Sequence, residues 1–154
     1  MILAVIPARG GSKRIPRKNI RDFCRRPIIA WSIRVALESD CFDRVMVSTD
    51  DAMTADVARS WGAEVPFMRP QELADEHTGT TPAVGHAVAW QQAQGITPDA
   101  VCCIYATAPF LRARDLQAGY NSFAPRIVIT RLQSPVIRIR FNARFALRAQ
   151  GAWT

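Results

Sequence analysis

Met1-Ile2-Leu3-Ala4-Val5-Ile6-Pro7-Ala8-Arg9-Gly10-Gly11-Ser12-Lys13-Arg14-Ile15-Pro16-Arg17-Lys18-Asn19 is the stretch on which the fold turns. Its first six residues form a short apolar run without polar alternation, the pattern of a strand buried on both faces. The run breaks into a glycine-bearing loop rich in arginine and lysine. An apolar strand that gives way to such a loop presents free backbone N–H groups and several cations to a polyanion. The polyanion that suits this arrangement is a nucleoside triphosphate.

Similar runs, rich in valine and isoleucine, recur at 44–48, 64–67, 100–105 and 126–130. Helical periodicity fills the intervals between them. Ile29, Ser32, Ile33, Ala36 and Leu37 share one face of a helix after Pro27, a residue suited to a first helical position. The run Ser48-Thr49-Asp50-Asp51 caps a second helix over 52–61, stopped by Gly62. Thr81-Pro82 opens a third, with Val84, Ala87, Val88 and Gln91 on one face and Gly95 as its stop. A shorter periodicity over 112–120 gives a fourth. Alternating strands and helices predict an α/β chain, a three-layer α/β/α sandwich around a mostly parallel sheet. Ligands of such sheets bind beyond the carboxyl ends of the strands. The loops 7–19, 48–51, 69–81 and 106–112 all fall there and are expected to share one site. The stretch 138–154 is poorly patterned and is expected to hold no convincing final element.

The chain has 154 residues, enough for one cored domain and too few for two comfortable ones. With 49% hydrophobic and 21% charged residues, its composition is that of a soluble globular protein. No apolar stretch reaches membrane-spanning length, and no charged segment precedes the first apolar run, so neither anchor nor signal peptide is expected. The net charge of +7 is uneven: six of the 20 basic residues (Arg126, Arg131, Arg138, Arg140, Arg144 and Arg148) follow residue 124, whereas all 13 acids lie at or before Asp115. Such an end could engage nucleic-acid phosphates without sequence preference. The blander alternative is an incomplete domain whose acidic partners are absent. Cys24, Cys41, Cys102 and Cys103 show no metal-ligand spacing, which points to a reducing compartment without disulfides or zinc.

The basic loop lacks both the Walker A spacing and the G-x-G-x-x-G of a dinucleotide fold. Gly10-Gly11 alone is a weak signal, because two glycines after a strand commonly make an ordinary turn. The wider pattern P-A-R-G-G-S-K-x-x-x-x-K-N sets Arg9, Lys13 and Lys18 along one loop. Arginine grips a phosphate with two N–H bonds, whereas lysine acts as a mobile point charge. A solvated basic loop is the alternative.

Four segments in order resemble the acylneuraminate (CMP-sialic acid synthetase) family of cytidylyltransferases. They are the P-A-R-G-G-S-K loop with Lys18-Asn19, then Phe42-Asp43-Arg44-Val45-Met46-Val47-Ser48-Thr49-Asp50-Asp51, then Arg69-Pro70-Gln71-Glu72-Leu73-Ala74, and Tyr105-Ala106-Thr107-Ala108-Pro109-Phe110-Leu111-Arg112. The last segment looks like that of the members acting on pseudaminic acid. The likeness covers 1–120 and thins beyond, so 1–124 reads as a family-like core and 125–154 as a divergent basic end of one domain.

The resemblance implies a Rossmann-like nucleotidyltransferase fold of the glycosyltransferase-A type. It implies a reaction in which the anomeric hydroxyl of a nine-carbon sugar acid attacks the α-phosphate of CTP and expels pyrophosphate, with Mg²⁺ assisting. It implies that Arg9, Gly10, Gly11, Ser12, Lys13, Lys18 and Asn19 embrace the triphosphate and ribose, with Arg9, Lys13 and Lys18 as the catalytic cations. Arg69 and Thr80 would approach the cytosine, and Tyr105, Thr107 and Arg112 the sugar acid. It further implies a cytoplasmic homodimer and Mg²⁺-holding aspartates in a segment beyond Thr154.

Each residue also has a plainer reading. Arg69 could pair with Glu72 or Asp75, Thr80 could belong to a helix-entry turn, and Tyr105 could be a strand-end aromatic. Asp50 and Asp51 tempt as metal ligands, yet capping explains at least one of them. His77 and His86 read as incidental. Where the family commonly has glycine in the turn before the first helix, this chain has Arg25; a positive φ there costs about 1 kcal/mol. With no acid after Asp115, the metal ligands have no counterpart here. That leaves a nucleotide-binding remnant without turnover, or a basic module for nucleic acid, as the alternatives to an active enzyme.

Overall fold

The computed structural model describes residues 1–12, 14–75, 78–123, 138–141 and 145–148. The opening run is β1 (Ile2–Pro7), the middle of the sheet. It pairs in parallel with β4 (Arg44–Ser48) on one side and with β5 (Ala100–Cys103) on the other. Leu3, Ala4, Val5 and Ile6 are all completely buried. Period-two geometry explains how one run lies in two cores. Ala4 and Ile6 face α1 (Ile28–Glu38) and α2 (Ala52–Ser60), while Leu3 and Val5 face α3 (Thr80–Ala93). Both faces are covered, which is why the strand shows no polar alternation. Full burial of each large apolar side chain contributes about 1.5–3 kcal/mol.

Several helix ends follow the sequence signals, but Pro27 precedes α1 with extended backbone and does not take its first position. Asp51 caps α2, its carboxylate accepting from Thr54 N at 2.9 Å and from Thr54 Oγ1 at 2.6 Å. Gly62 and Gly95 follow α2 and α3 at positive φ, +90° and +78°, where a side chain is disfavoured. The expected α3 face is buried, and Gln91 within it is satisfied by Arg44, whose guanidinium also pairs with Glu64. The fourth helix is α4 (Ala113–Phe123).

Two readings of the chain need correction. Residues 64–67 form no strand: Glu64 makes a single parallel bridge to Met46, and Pro66, without an N–H, cannot continue the ladder. The stretch 138–154 does contain regular elements. β6 (Arg138–Phe141) pairs in parallel with β5, and β7 (Phe145–Arg148) returns antiparallel to it, giving the order β4-β1-β5-β6-β7. Arg138-Ile139-Arg140-Phe141 does alternate, but four residues of period two are too few to mark a strand, and pairing with β5 supplies what the pattern lacks. The expected strand at 126–130 lies outside the described residues, as do Lys13 and His77.

Ahead of α1 sits an unforeseen two-residue hairpin, β2 (Asp22–Phe23) with β3 (Arg26–Pro27). Its turn residues Cys24 and Arg25 adopt φ of +53° and +65°, as a primed hairpin turn requires. The expected cost at Arg25 is therefore present. Neighbours hold the turn in place: Trp31 Nε1 donates to Phe23 O at 2.9 Å, and the Arg26 guanidinium lies over the Trp31 and Trp61 rings at 5.1 and 5.5 Å.

Candidate functional site

The loops beyond β1, β4 and β5 converge, as the alternation of elements predicts. A cleft of about 180 Å³ opens between them, lined by Arg9, Ser12, Lys18, Asn19, Arg69, Thr80, Tyr105 and Thr107 together with Pro7, Thr78, Gly79, Ala83 and Ala106. Eight of the sequence-derived site residues thus meet in one place. Gly10 and Gly11 belong to the same loop without lining the cleft. Arg112 stands apart, exposed, with its backbone N and its Nε both 3.2 Å from Asp115 Oδ2 in the first turn of α4. That contact holds the Asp115 carboxyl below its ordinary pKa.

The glycine loop is tied down from three directions. Gly10 N donates to Asp50 Oδ1 at 2.9 Å, which fixes the loop to the end of β4. A side chain at Gly10 would put its Cβ 2.6 Å from Asp51 Cβ, so the close approach of loop and strand end requires glycine here. Asn19, only 7% exposed, donates from Nδ2 to Arg9 O at 2.8 Å and sets the path of the backbone. Arg9 then reaches across the cleft, Nη1 donating to Asp75 O at 2.8 Å.

Arg69 makes neither of the ion pairs open to it on sequence grounds. It is 6% exposed and turns inward: Nε donates to Ser48 Oγ at 3.0 Å, Nη2 donates to Ser48 O, and its own backbone N donates to Thr49 O at 2.8 Å. Burial depresses the pKa of its guanidinium; the Asp50 carboxylate opposes that depression and Arg9 adds to it. A buried cation anchored along one edge is a fixed hydrogen-bond donor, suited to reading a planar ligand. Tyr105, at the far wall, is fixed through its backbone carbonyl, which accepts from Ser32 Oγ at 2.8 Å.

The sequence reading missed Ser48 and Asp50 as supports of this site. Both stand in the Ser48-Thr49-Asp50-Asp51 run that carries the family likeness, where a helix cap is the plainer reading. Only Asp51 serves that purpose. An Mg²⁺ ion would find no all-protein cage among the described residues. Among the described residues no three acidic, histidine or cysteine side chains cluster, Asp51 is committed to Thr54, and Asp50 to Gly10 beside a buried arginine. No described helix is long and apolar enough to cross a membrane.

This sheet order with a ligand cleft at the strand ends is the architecture of a nucleotidyltransferase. It superimposes on a CMP:2-keto-3-deoxy-manno-octonic acid synthetase complexed with CTP at a TM-score of 0.67, with 24% identity over 81% of this chain and 48% of that one. It superimposes on a Methanothermobacter nucleotidyl transferase at 0.59, with 18% identity over 79% and 57% of the two chains. The chain belongs to the cytidylyltransferase family, whose pattern residues 3–124 match. A pseudaminic acid cytidylyltransferase of Campylobacter jejuni is 49% identical over 79% of this chain and 52% of its own length. A CMP-N,N'-diacetyllegionaminic acid synthase of Legionella pneumophila is 40% identical over 75% and 50%, and the N-acylneuraminate cytidylyltransferase A of Danio rerio 39% over 79% and 29%. The chain spans about half the length of the first two relatives.

Proposed function

We propose that this chain forms the nucleotide-binding part of a cytidylyltransferase that transfers CMP from CTP to a nonulosonic acid, pseudaminic acid in particular. The observation that carries the reading is the cleft in which Arg9, Lys18 and Asn19 of the first loop meet the buried Arg69. It combines cations for a triphosphate with a fixed donor for a base. The 49% identity to the Campylobacter enzyme supports the choice of acceptor.

In this reading Arg9 and Lys18 hold the β- and γ-phosphates and neutralise the charge that grows on departing pyrophosphate. Asn19 keeps the Arg9 carbonyl, and with it the loop, in place. Arg69 and Thr80 meet the cytosine. A donor aimed at N3 favours cytosine, whose N3 accepts, over uracil, whose N3 carries a hydrogen. Tyr105 and Thr107 border the space where the sugar acid lies, its anomeric oxygen in line with the α-phosphate. The new bond joins that oxygen to the α-phosphorus. The bond from the α-phosphorus to the bridging oxygen breaks, and the hydroxyl proton leaves to solvent. Arg112 approaches the sugar acid only if its contact with Asp115 is given up.

Pyrophosphate release in a mixture of CTP, Mg²⁺ and pseudaminic acid tests the proposal directly. Release with CTP and none with UTP or ATP is the expected result. A second reading for this chain is nucleotide binding without turnover, favoured by the lack of a cluster of metal-ligating side chains among the described residues. Calorimetric binding of CTP with no pyrophosphate release would select it. Absence of CTP binding by folded protein would overturn both.

A further inference from the structure

β4 ends in Ser48, which lies beside Pro7 of β1. Period two puts its side chain on the same face as Met46, toward α3 and the segment that carries Arg69. Ser48 is completely buried there. A buried hydroxyl needs a partner, and this one accepts from Arg69 Nε at 3.0 Å while the Ser48 carbonyl accepts from Nη2. Two bonds along one edge of a planar guanidinium fix both its position and its tilt. Nη1 makes no hydrogen bond among the described residues and belongs to a side chain that lines the cleft. One edge is therefore occupied by the protein and the rest of the fork is left for a ligand.

We propose that Ser48 is a positioning residue for nucleotide selectivity: it aims the Arg69 guanidinium so that a cytosine is distinguished from a uracil in the cleft. This rests on the reading of Arg69 as the group that meets the base. Without the Ser48 hydroxyl, the arginine keeps only its bond to the carbonyl and gains a hinge about it. A guanidinium free to tilt donates to O4 or O2 of uracil as readily as to N3 and O2 of cytosine. Ser48 thus acts on preference between bases. Phosphate affinity is set at the other end of the cleft, by the loop that Asp50 and Asn19 hold.

The test is calorimetric titration of the full chain and its Ser48→Ala variant with CTP, UTP and inorganic triphosphate. The expected result is a CTP-over-UTP preference reduced by about tenfold, the size of one lost charge-assisted hydrogen bond, with inorganic triphosphate bound as before. A ratio of two affinities is insensitive to any misfolded fraction. Ser48→Cys, close in volume but a weaker acceptor, should give an intermediate ratio and serves if the alanine variant does not fold. In a double-mutant cycle with Arg69→Lys, the two changes should be non-additive in the CTP/UTP ratio. An unchanged ratio in the Ser48 variants, or additive effects with Arg69→Lys, would overturn the positioning role while leaving the CTP site intact. A parent chain that binds CTP and UTP equally would instead overturn the reading of Arg69 as the base-reading group, and the positioning role with it.

Discussion

Two cavities of equal size, about 180 Å³ each, meet at Tyr105 and are built in opposite ways. The cleft at the ends of β1 and β4 is held by hydrogen bonds between residues far apart in sequence: Gly10 to Asp50, Arg9 to Asp75, Arg69 to Ser48. The groove between β5 and α4 is lined by Ile2, Phe42, Leu111, Leu116 and Tyr120 and owes its form to apolar packing. Hydrogen bonds are directional, so the cleft depends on single atoms. Dispersion and hydrophobic burial are not, so the groove should tolerate change at a cost in stability alone. A polar site and a greasy one of the same volume are therefore expected to fail differently.

The strongest break should come from Arg69→Ala, which removes the fixed donor and leaves the buried Ser48 hydroxyl without its partner. CTP affinity is expected to fall about a hundredfold, with a stability loss of about 1–3 kcal/mol, read by calorimetry and denaturant unfolding. Retained affinity would mean that the cleft does not bind a nucleotide through its buried edge.

Gly10→Ala comes next. Its Cβ cannot coexist with Asp51 Cβ at 2.6 Å, so the loop must lift from the β4 end. About 1–3 kcal/mol of overpacking strain is expected, together with a loss of triphosphate affinity that does not depend on the base.

Leu116→Ala probes the other cavity. This leucine is half-buried against the core, so the expected loss is about 1–2 kcal/mol, below the range of a fully buried leucine. CTP affinity should not move. A weakened CTP site in this variant would erase the distinction between the two regions.

The smallest effect concerns Cys103, which faces α3 from β5 and whose thiol is pushed by burial from its ordinary 9.0 up to about 12. Native protein at pH 8 should alkylate at exposed Cys24 and spare Cys103, as peptide mass spectrometry can read. The unfolded chain loses this proton first as pH rises. The Cys103 contribution to stability is therefore level below about pH 9 and declines from there toward 12.

Much of this was legible in the residues themselves. β1, β4, β5 and the four helices follow from apolar runs and periodicity, and their alternation places the loops on one side of the sheet. The gathering of cations beyond β1 is legible too, because Arg9, Lys13 and Lys18 stand together in the loop that follows it. The 64–67 run misled because a short run such as Glu64-Val65-Pro66-Phe67 carries no mark of how many ladder bonds Pro66 leaves available. The strands near the carboxyl end of the chain were hidden because their pattern is weak until β5 offers an edge. Ser48 and Asp50 were hidden for another reason: serine and aspartate before a helix announce a cap, and capping uses only one of them.

What the sequence determined by itself was the order of strands and helices and the kind of charge gathered beyond them, since both follow from local pattern and composition. What the tertiary structure alone decided was which polar groups face one another. Whether Arg69 pairs with a nearby acid or turns inward to Ser48 depends on where β4 ends in space, and a buried guanidinium goes where its donors find acceptors. That is a property of the folded surface, and sequence distance does not encode it.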